Sequence, residues 1–231
     1  VTIEVLEPAI YDITTFQDST TCNGESDGWA QVIVNSGGSG TYTYLWDAAA
    51  GNQTTPKAVN LSAGTYSVTV SDLYSCDTVV SVDVLEPNPL SLSFSTNHVT
   101  CFGDNDGELN ITGSGGTSPY NISWAGTATG DPAGFEILAD GGDYDITALF
   151  QGTYLVTITD QYGCNETGID DILEPKQLIV HTSSDSVNCF GDNNGSAFID
   201  STTGGSVPYT YLWNNGETND TASNLSAGTY T

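Results

Sequence analysis

The sequence has almost no positive charge. Its 231 residues include 29 Asp and Glu, but only Lys57 and Lys176 on the basic side and no Arg, so the formal net charge is −27. Binding to a phosphate backbone or to an anionic membrane surface requires Lys or Arg. We therefore expect no nucleic-acid partner. The surplus of carboxylates is compatible with divalent cations and with high solubility.

Methionine, helix-period segments and long apolar runs are also missing. No apolar run is long enough to span a bilayer, so we expect no membrane insertion. Without a Met or a signal peptide, the sequence is expected to be a mature piece of a longer protein. An acidic composition favours disorder, but a charged content of only 13% and an aromatic content of 10% oppose it.

One segment occurs three times and organises the chain. LSAGTYSVTVSD at 61–72 returns as LFQGTYLVTITD at 149–160 and as LSAGTYT at 225–231. Leu-x-x-Gly-Thr-Tyr is typical of a tight turn that enters a strand with one apolar face. The Tyr after this turn resembles the tyrosine corner of immunoglobulin-like sandwiches. We expect a positive φ at the turn glycine, which is Gly64, Gly152 or Gly228.

Leu-Glu-Pro seams end at Pro8, Pro87 and Pro175 and divide the chain into repeats. They predict a last strand of a preceding repeat at 1–6, repeat 1 at 7–86, repeat 2 at 87–174 and a truncated repeat 3 at 175–231. Each repeat has the same order of strands and turns, with six or seven short strands expected. The fold class is therefore all-β, with tandem immunoglobulin-like β-sandwich repeats arranged head to tail. Repeat 2 carries an insertion at about 125–145, which we expect to form a surface loop.

Aromatic residues recur at fixed positions and are expected to fill the core between two sheets. They are Trp46, Trp124 and Trp213 in the third strand and Tyr66, Tyr154 and Tyr230 in the strand after the repeated turn.

The order of these motifs resembles the SprB-type repeat. The matching elements are Cys-x-Gly-x-x-Asp-Gly, Gly-Gly-x-x-Pro-Tyr-x-Tyr-x-Trp, Leu-x-x-Gly-Thr-Tyr-x-Val-Thr-Val-x-Asp, Gly-Cys and Glu-Pro, and they cover essentially the whole chain. Ser75 replaces the usual Gly before Cys76. The family forms long arrays in giant surface adhesins of Bacteroidetes, including those that drive gliding motility. The resemblance implies type IX secretion, an extracellular, outer membrane-associated location, and neighbouring repeats and motility or secretion machinery as partners.

Cysteines in an exported protein favour disulfides. Pairing within a repeat, Cys22–Cys76 and Cys101–Cys164, is the first hypothesis, and Cys189 is left over because repeat 3 is truncated. The objection is that the two cysteines of a repeat lie at opposite ends of strands roughly 30 Å long, beyond disulfide reach. A Cys22–Cys164 bond would instead join consecutive repeats, and free thiols are a third interpretation.

Acidic loops follow each first strand, at 22–28, 101–107 and 189–195. They cluster oxygen ligands of the kind that calcium prefers, although they are too short for an EF-hand loop and lack its bidentate Glu. A Gly-closed turn is the alternative interpretation. No other cofactor is expected. The candidate calcium ligands are Glu25, Asp27, Asp104, Asp106, Asp192 and Asn194.

Asp-Ser or Asp-Thr followed by an aliphatic residue or Thr looks like the O-glycosylation signal of exported Bacteroidetes proteins. The acceptors would be Ser19, Thr78, Ser186, Ser201 and Thr221.

Catalysis has no support, because no carboxylate is coupled to a His, Lys or Arg in a repeated setting. The expected function is a structural stalk segment of a large secreted cell-surface adhesin filament, used in surface adhesion and gliding motility. The alternative is a carbohydrate-binding module array of a secreted multidomain hydrolase, with surface glycans as partners. This alternative needs an outward aromatic residue in every repeat, whereas Trp29 corresponds to Glu108 and Ser196.

Overall fold

The computed structural model describes residues 3, 4, 7, 9–127, 134–138 and 143–231. In this described part the chain forms sixteen β-strands and no helix. The all-β prediction is therefore confirmed. The strand predicted at 1–6 falls mostly on residues 1, 2, 5 and 6, which lie outside the described residues.

Repeat 1 is a sandwich of two three-stranded antiparallel sheets. One sheet has the order β1-β2-β4 and the other has the order β3-β5-β6. Apolar residues alternate with polar ones along these strands, so each sheet turns one apolar face towards the other. The strands are β1 (Asp12–Asp18), β2 (Gly28–Ser36), β3 (Tyr42–Trp46), β4 (Lys57–Leu61), β5 (Gly64–Asp72) and β6 (Asp77–Val84).

Repeat 2 has the same plan with one more strand. Its sheets have the orders β11-β8-β7 and β10-β9-β12-β13. The strands are β7 (Ser91–Asn97), β8 (Gly107–Ser114), β9 (Tyr120–Gly126), β10 (Gly134–Leu138), β11 (Asp143–Leu149), β12 (Gly152–Thr159) and β13 (Asn165–Ile172).

The sequence predicted that the insertion of repeat 2 forms a surface loop, and this prediction is wrong in part. Part of it forms β10, which pairs antiparallel with β9 at the edge of the sheet. A Cβ placed on Gly134 would lie 2.0 Å from Trp124 Cζ2. The glycine therefore packs directly against the indole ring of Trp124. Residues 128–133 and 139–142 of the insertion lie outside the described residues.

Repeat 3 contains one sheet in the described residues, made of β14 (Ile179–Asp185), β15 (Gly195–Thr203) and β16 (Thr221–Leu225). The segment 208–213, predicted as a strand, is not one. In repeat 1 the equivalent β3 pairs with Val68–Asp72 of β5, and residues 1–231 include no counterpart of those partner residues. Trp213 therefore lines an open cavity of about 600 Å³.

Each repeat has its own hydrophobic core. The first core contains Trp46, Tyr66 and Val68, and the second contains Tyr154, Val156 and Ile158, with no buried residue shared between them. Trp46, Tyr66, Tyr154 and Trp213 are buried. Trp124 and Tyr230 are only partly buried but pack against the cores of their repeats.

The turn glycines do not have the predicted positive φ. In the described residues, the positive φ lies instead on the residue before the turn leucine, which is Asn60 (56°), Ala148 (60°) or Asn224 (55°). At this point the pairing of β4, β11 and β16 with its neighbour shifts register. A residue in a β-bulge can take this left-handed conformation, which explains the position. The tyrosine corner itself is present, since Tyr66 Oη donates to Ser62 O at 2.9 Å and Tyr154 Oη donates to Phe150 O at 2.9 Å.

Trp46 is the largest fully buried side chain of repeat 1, and its Nε1 donates to Thr55 O at 2.9 Å. Replacing Trp46 by Ala should destabilise repeat 1 by about 3–5 kcal/mol, because a large cavity is left in a closed core. Denaturant unfolding measures this loss. The control is Leu45→Ala, since Leu45 is the neighbouring residue but is 52% exposed, and an equal loss in both variants would contradict the assignment.

Candidate functional site: the joint between repeats

The two ends of a repeat carry different features. The loop end of repeat 1 holds the acidic loop, the start of β5 and the seam glutamate Glu86. The turn end holds the start of the repeat, the Gly-Gly bend and the turn between β5 and β6. Because β5 has nine residues, these two ends are roughly 30 Å apart.

A disulfide joins the loop end of repeat 1 to the turn end of repeat 2. It links Cys22 to Cys164, with a Cα–Cα distance of 5.7 Å and a sequence separation of 142. The pairings within a repeat, Cys22–Cys76 and Cys101–Cys164, are therefore wrong in this structure, for the geometric reason that their partners lie at opposite ends of a sandwich. The remaining cysteines, Cys76, Cys101 and Cys189, are free and exposed.

The acidic loop is fixed to the seam that leaves its own repeat. Gly24 N donates to Glu86 Oε2 at 2.7 Å, and Thr20 N donates to Leu85 O at 2.9 Å. The second joint repeats both contacts, from Gly103 N to Glu174 Oε2 at 2.8 Å and from Val99 N to Leu173 O at 3.0 Å. The Glu of the Leu-Glu-Pro seam thus orients the loop that carries the cysteine.

The turn end is organised by an aspartate that sequence reasoning missed. Asp160 is 2% exposed, and its carboxylate accepts hydrogen bonds from the backbone N–H groups of Thr117, Tyr162 and Cys164 at 2.9, 2.9 and 3.0 Å. The carboxylate therefore ties the cysteine turn to the Gly-Gly bend. The available signal was the Asp that ends the repeated VTVSD and VTITD segments in both complete repeats.

Asp72 does the same in repeat 1. It accepts from the N–H groups of Ser39, Tyr74 and Cys76 at 3.0, 2.9 and 3.0 Å. The turn that presents Cys76 therefore has the same hydrogen bonds as the turn that presents Cys164.

The Gly-Gly bends receive the chain that enters each repeat. Gly116 N donates to Asn88 O at 2.8 Å, and Gly205 N donates to Lys176 O at 2.7 Å. Gly115 has a φ of +76°, and a Cβ there would lie 1.9 Å from Pro89 O. Only glycine fits such a close backbone approach. The bend thus holds the seam against the turn end.

The predicted calcium ligands are not brought together by the described structure, which contains no group of three or more His, Cys, Asp or Glu side chains suited to a metal ion. Asp27 and Asp106 instead accept hydrogen bonds from the N–H and hydroxyl groups of Thr21 and Thr100. Asn194 accepts from Asn188 N, and Asp192 accepts from Cys189 N. Glu25 and Asp104 contribute their N–H groups to the carbonyl oxygens of Cys22 and Cys101. Calcium binding stays a prediction, which a melting temperature unaffected by EDTA would contradict.

The hydroxyl of Thr21, and then its N–H group, lower the pKa of Asp27 below its ordinary value of 3.8. A carboxylate whose pKa is lowered by folding contributes stability above its unfolded pKa, and this contribution is lost as the pH falls through the folded pKa. Thr21→Val should therefore raise the pKa of Asp27 towards 3.8 and reduce the acid dependence of repeat 1. An NMR titration of the carboxyl group measures the shift. Asp106, held by Thr100 in the same way, is the internal control and should not move.

Trp29 lies on the outer face of the first sheet of repeat 1, because it alternates along β2 with the buried residues Ala30 and Val32. Lys57 Nζ lies 3.7 Å from the centroid of its ring, so a cation covers the indole. The neighbouring Phe16, Ile33 and Val59 are each more than 40% exposed. The same face in repeat 2 is polar, with Asn110 opposite Asp145 and Thr112 opposite Asp143.

The predicted glycan acceptors lie at the surface. Ser19, Ser186 and Ser201 are exposed, and Thr78 and Thr221 are half-buried. Their modification stays a prediction.

The family model for the SprB repeat matches the chain three times, at residues 14–51, 93–129 and 182–218. The chain therefore contains segments that match the SprB repeat at three places. SprB repeats are a feature of adhesin-like cell-surface proteins, and the disulfide agrees with an extracellular location.

Among solved structures, the chain is similar to the following two. One is the amphioxus IgVJ-C2 molecule, with 15% identity, a TM-score of 0.26, and coverage of 69% of this chain and 95% of that one. The other comes from a study of the structural basis for Dscam isoform specificity, with 11% identity, a TM-score of 0.26, and coverage of 98% and 67%. No curated protein matches the chain. In the part of the chain that the structure describes, no helix is suited to crossing a membrane.

Proposed function

We propose that this chain is a stretch of stalk in a secreted cell-surface adhesin used in surface adhesion and gliding motility. The observation that carries the proposal is the Cys22–Cys164 bond between the loop end of one repeat and the turn end of the next. A covalent link across a joint restricts bending between sandwiches that otherwise have separate cores. The seam prolines add to this, because Pro fixes φ and restricts the residue before it.

The charge distribution suits the same role. A net charge of −27 keeps neighbouring filaments apart through mutual repulsion and maintains solubility. At roughly 40 Å for each sandwich, estimated from strand length plus turns, an array of such repeats extends far from the cell surface. The proposal gives the chain no catalytic step. Its partners are the neighbouring repeats and the secretion and motility machinery of the outer membrane.

A competition assay tests the proposal that the chain is a stalk segment. Cells that attach through the adhesin are exposed to an excess of the isolated chain. A stalk segment holds a binding tip but does not bind the surface itself, so attachment should be unchanged. Inhibition of attachment would contradict the proposal. Labelling of a tag in an exposed loop on intact cells checks the location, and labelling only after permeabilisation would contradict it.

The alternative is a carbohydrate-binding module array of a secreted multidomain hydrolase. The exposed face around Trp29 favours it, because aromatic and aliphatic side chains can stack on sugar rings. Two observations weigh against it: Lys57 covers the indole, and the equivalent face of repeat 2 is polar. In a glycan array, binding that Trp29→Ala abolishes would support this alternative over the stalk.

A further inference from the structure

The free cysteines occupy the same two positions as the bonded pair. Cys101 and Cys189 begin acidic loops, as Cys22 does, and Cys76 follows the aspartate turn, as Cys164 does. All three free thiols are exposed. We call the first kind loop cysteines and the second kind turn cysteines.

The backbone that presents a loop cysteine is the same whether or not the cysteine is bonded. The carbonyl oxygen of the cysteine accepts the N–H group three residues later at 3.3 Å for Cys22, 3.2 Å for Cys101 and 3.1 Å for Cys189. The seam glutamate then fixes the loop at the bonded joint and again at the next one, through Gly24 and Gly103. The backbone of the acidic loop therefore has the same hydrogen bonds around Cys101 as around Cys22, which forms the disulfide.

The turn cysteines also share one frame. Asp72 N donates to Cys76 O at 3.0 Å, and Asp160 N donates to Cys164 O at 2.9 Å. In return, each aspartate Oδ1 accepts from the N–H group of its cysteine at 3.0 Å. Disulfide formation at Cys164 thus uses a turn geometry that Cys76 already has.

We propose that the crosslink is a rule of the array: the loop cysteine of one SprB repeat bonds to the turn cysteine of the repeat that follows it. By this rule, Cys101 bonds to the turn cysteine of repeat 3. Cys76 bonds to the loop cysteine of the repeat before repeat 1, and Cys189 bonds to the turn cysteine of the repeat after repeat 3. This inference stands whether or not the chain serves as a stalk.

The chemistry requires a disulfide oxidant. One thiolate attacks oxidised glutathione, which forms a mixed disulfide and releases one glutathione thiolate. The second thiolate then attacks the protein sulfur of that mixed disulfide and releases the other glutathione. Two protein thiols lose two electrons and two protons, and one oxidised glutathione becomes two reduced ones.

Completing repeat 3 tests the rule within one chain. Thr231 occupies the position of Leu155, so a copy of residues 156–174 is added after it, and this copy contains a turn cysteine. After equilibration with reduced and oxidised glutathione, free thiols are alkylated and mapped. We expect loss of alkylation at Cys101 and a peptide that links Cys101 to the added cysteine. The control carries serine in place of the added cysteine, and its Cys101 should stay fully alkylated.

Hydrogen exchange of the backbone amides of 209–213 reports whether the added strands pack, because the equivalent β3 of repeat 1 pairs with β5. Protection of these amides with Cys101 still alkylated would overturn the proposal.

A second test uses the chain without the extension and does not depend on that packing. In Cys101→Ser, the free thiols are one turn cysteine, Cys76, and one loop cysteine, Cys189. Oxidation by glutathione should produce a ladder of multimers joined by mixed Cys76–Cys189 bonds. Cys76–Cys76 and Cys189–Cys189 bonds at the frequency expected from random pairing would overturn the rule.

Discussion

Reduction of the Cys22–Cys164 bond is expected to lengthen the fully stretched chain by about 480 Å, at roughly 3.4 Å for each residue. The reason is the path that tension takes when the chain is held by its two ends. Force passes from Cys22 to Cys164 through the disulfide, so the 142 residues of sequence separation stay out of the path until the bond opens. Single-molecule force spectroscopy before and after addition of a reductant measures the difference in contour length.

Two variants separate the disulfide from general effects of the reductant. Cys22→Ser should show the long contour length from the start and no change on reduction. Cys76→Ser, which removes a free thiol, should behave like the parent chain. Equal contour lengths of the parent chain before and after reduction would contradict the account.

Replacing Asp160 by Ala should destabilise repeat 2 by about 3–5 kcal/mol, because three N–H groups lose the buried carboxylate that accepts their hydrogen bonds. The variant should also form the Cys22–Cys164 bond more slowly, since the turn that aligns Cys164 is released. Denaturant unfolding measures the stability, and the rate at which free thiols disappear during oxidation measures bond formation.

Asp72→Ala is the matched control for this variant. It removes the same carboxylate from the same turn of repeat 1, where the cysteine is the free Cys76. It should destabilise repeat 1 but leave the rate of Cys22–Cys164 formation unchanged. An equal slowing of disulfide formation in both variants would show that Asp160 has no special role at the joint.

Periodicity predicted the strands that recur in repeats 1 and 2, because each repeat must bury the same alternating positions. It missed β10 and wrongly predicted a strand at 208–213. The tyrosine corner followed from the same pattern. The positive φ was assigned to the wrong residue, since Leu-x-x-Gly suggests a glycine turn, while the actual requirement is a β-bulge at Asn60 and its equivalents. A bulge depends on the partner strand, and a single segment of sequence does not show its partner.

The disulfide pairing and the burial of Asp160 could not be predicted from the sequence pattern, because both depend on contacts between distant segments. Two pairings of Cys22 fitted the spacing, and the choice depended on which ends of two separate sandwiches meet. Asp160 looked like one more surface carboxylate in an acidic chain. It becomes a buried acceptor only because the Gly-Gly bend brings Thr117 N to it from more than forty residues away in sequence.

Non-reducing peptide mapping tests the crosslinked joint most directly. After alkylation of free thiols, cleavage at Glu, with Glu-Pro bonds left intact, places Cys22 in 5–25, Cys164 in 137–166, and Cys76 with Cys101 in 26–108. The account predicts a disulfide-linked pair of 5–25 with 137–166, and alkylated Cys76 and Cys101. A linked pair of 5–25 with 26–108 would contradict it.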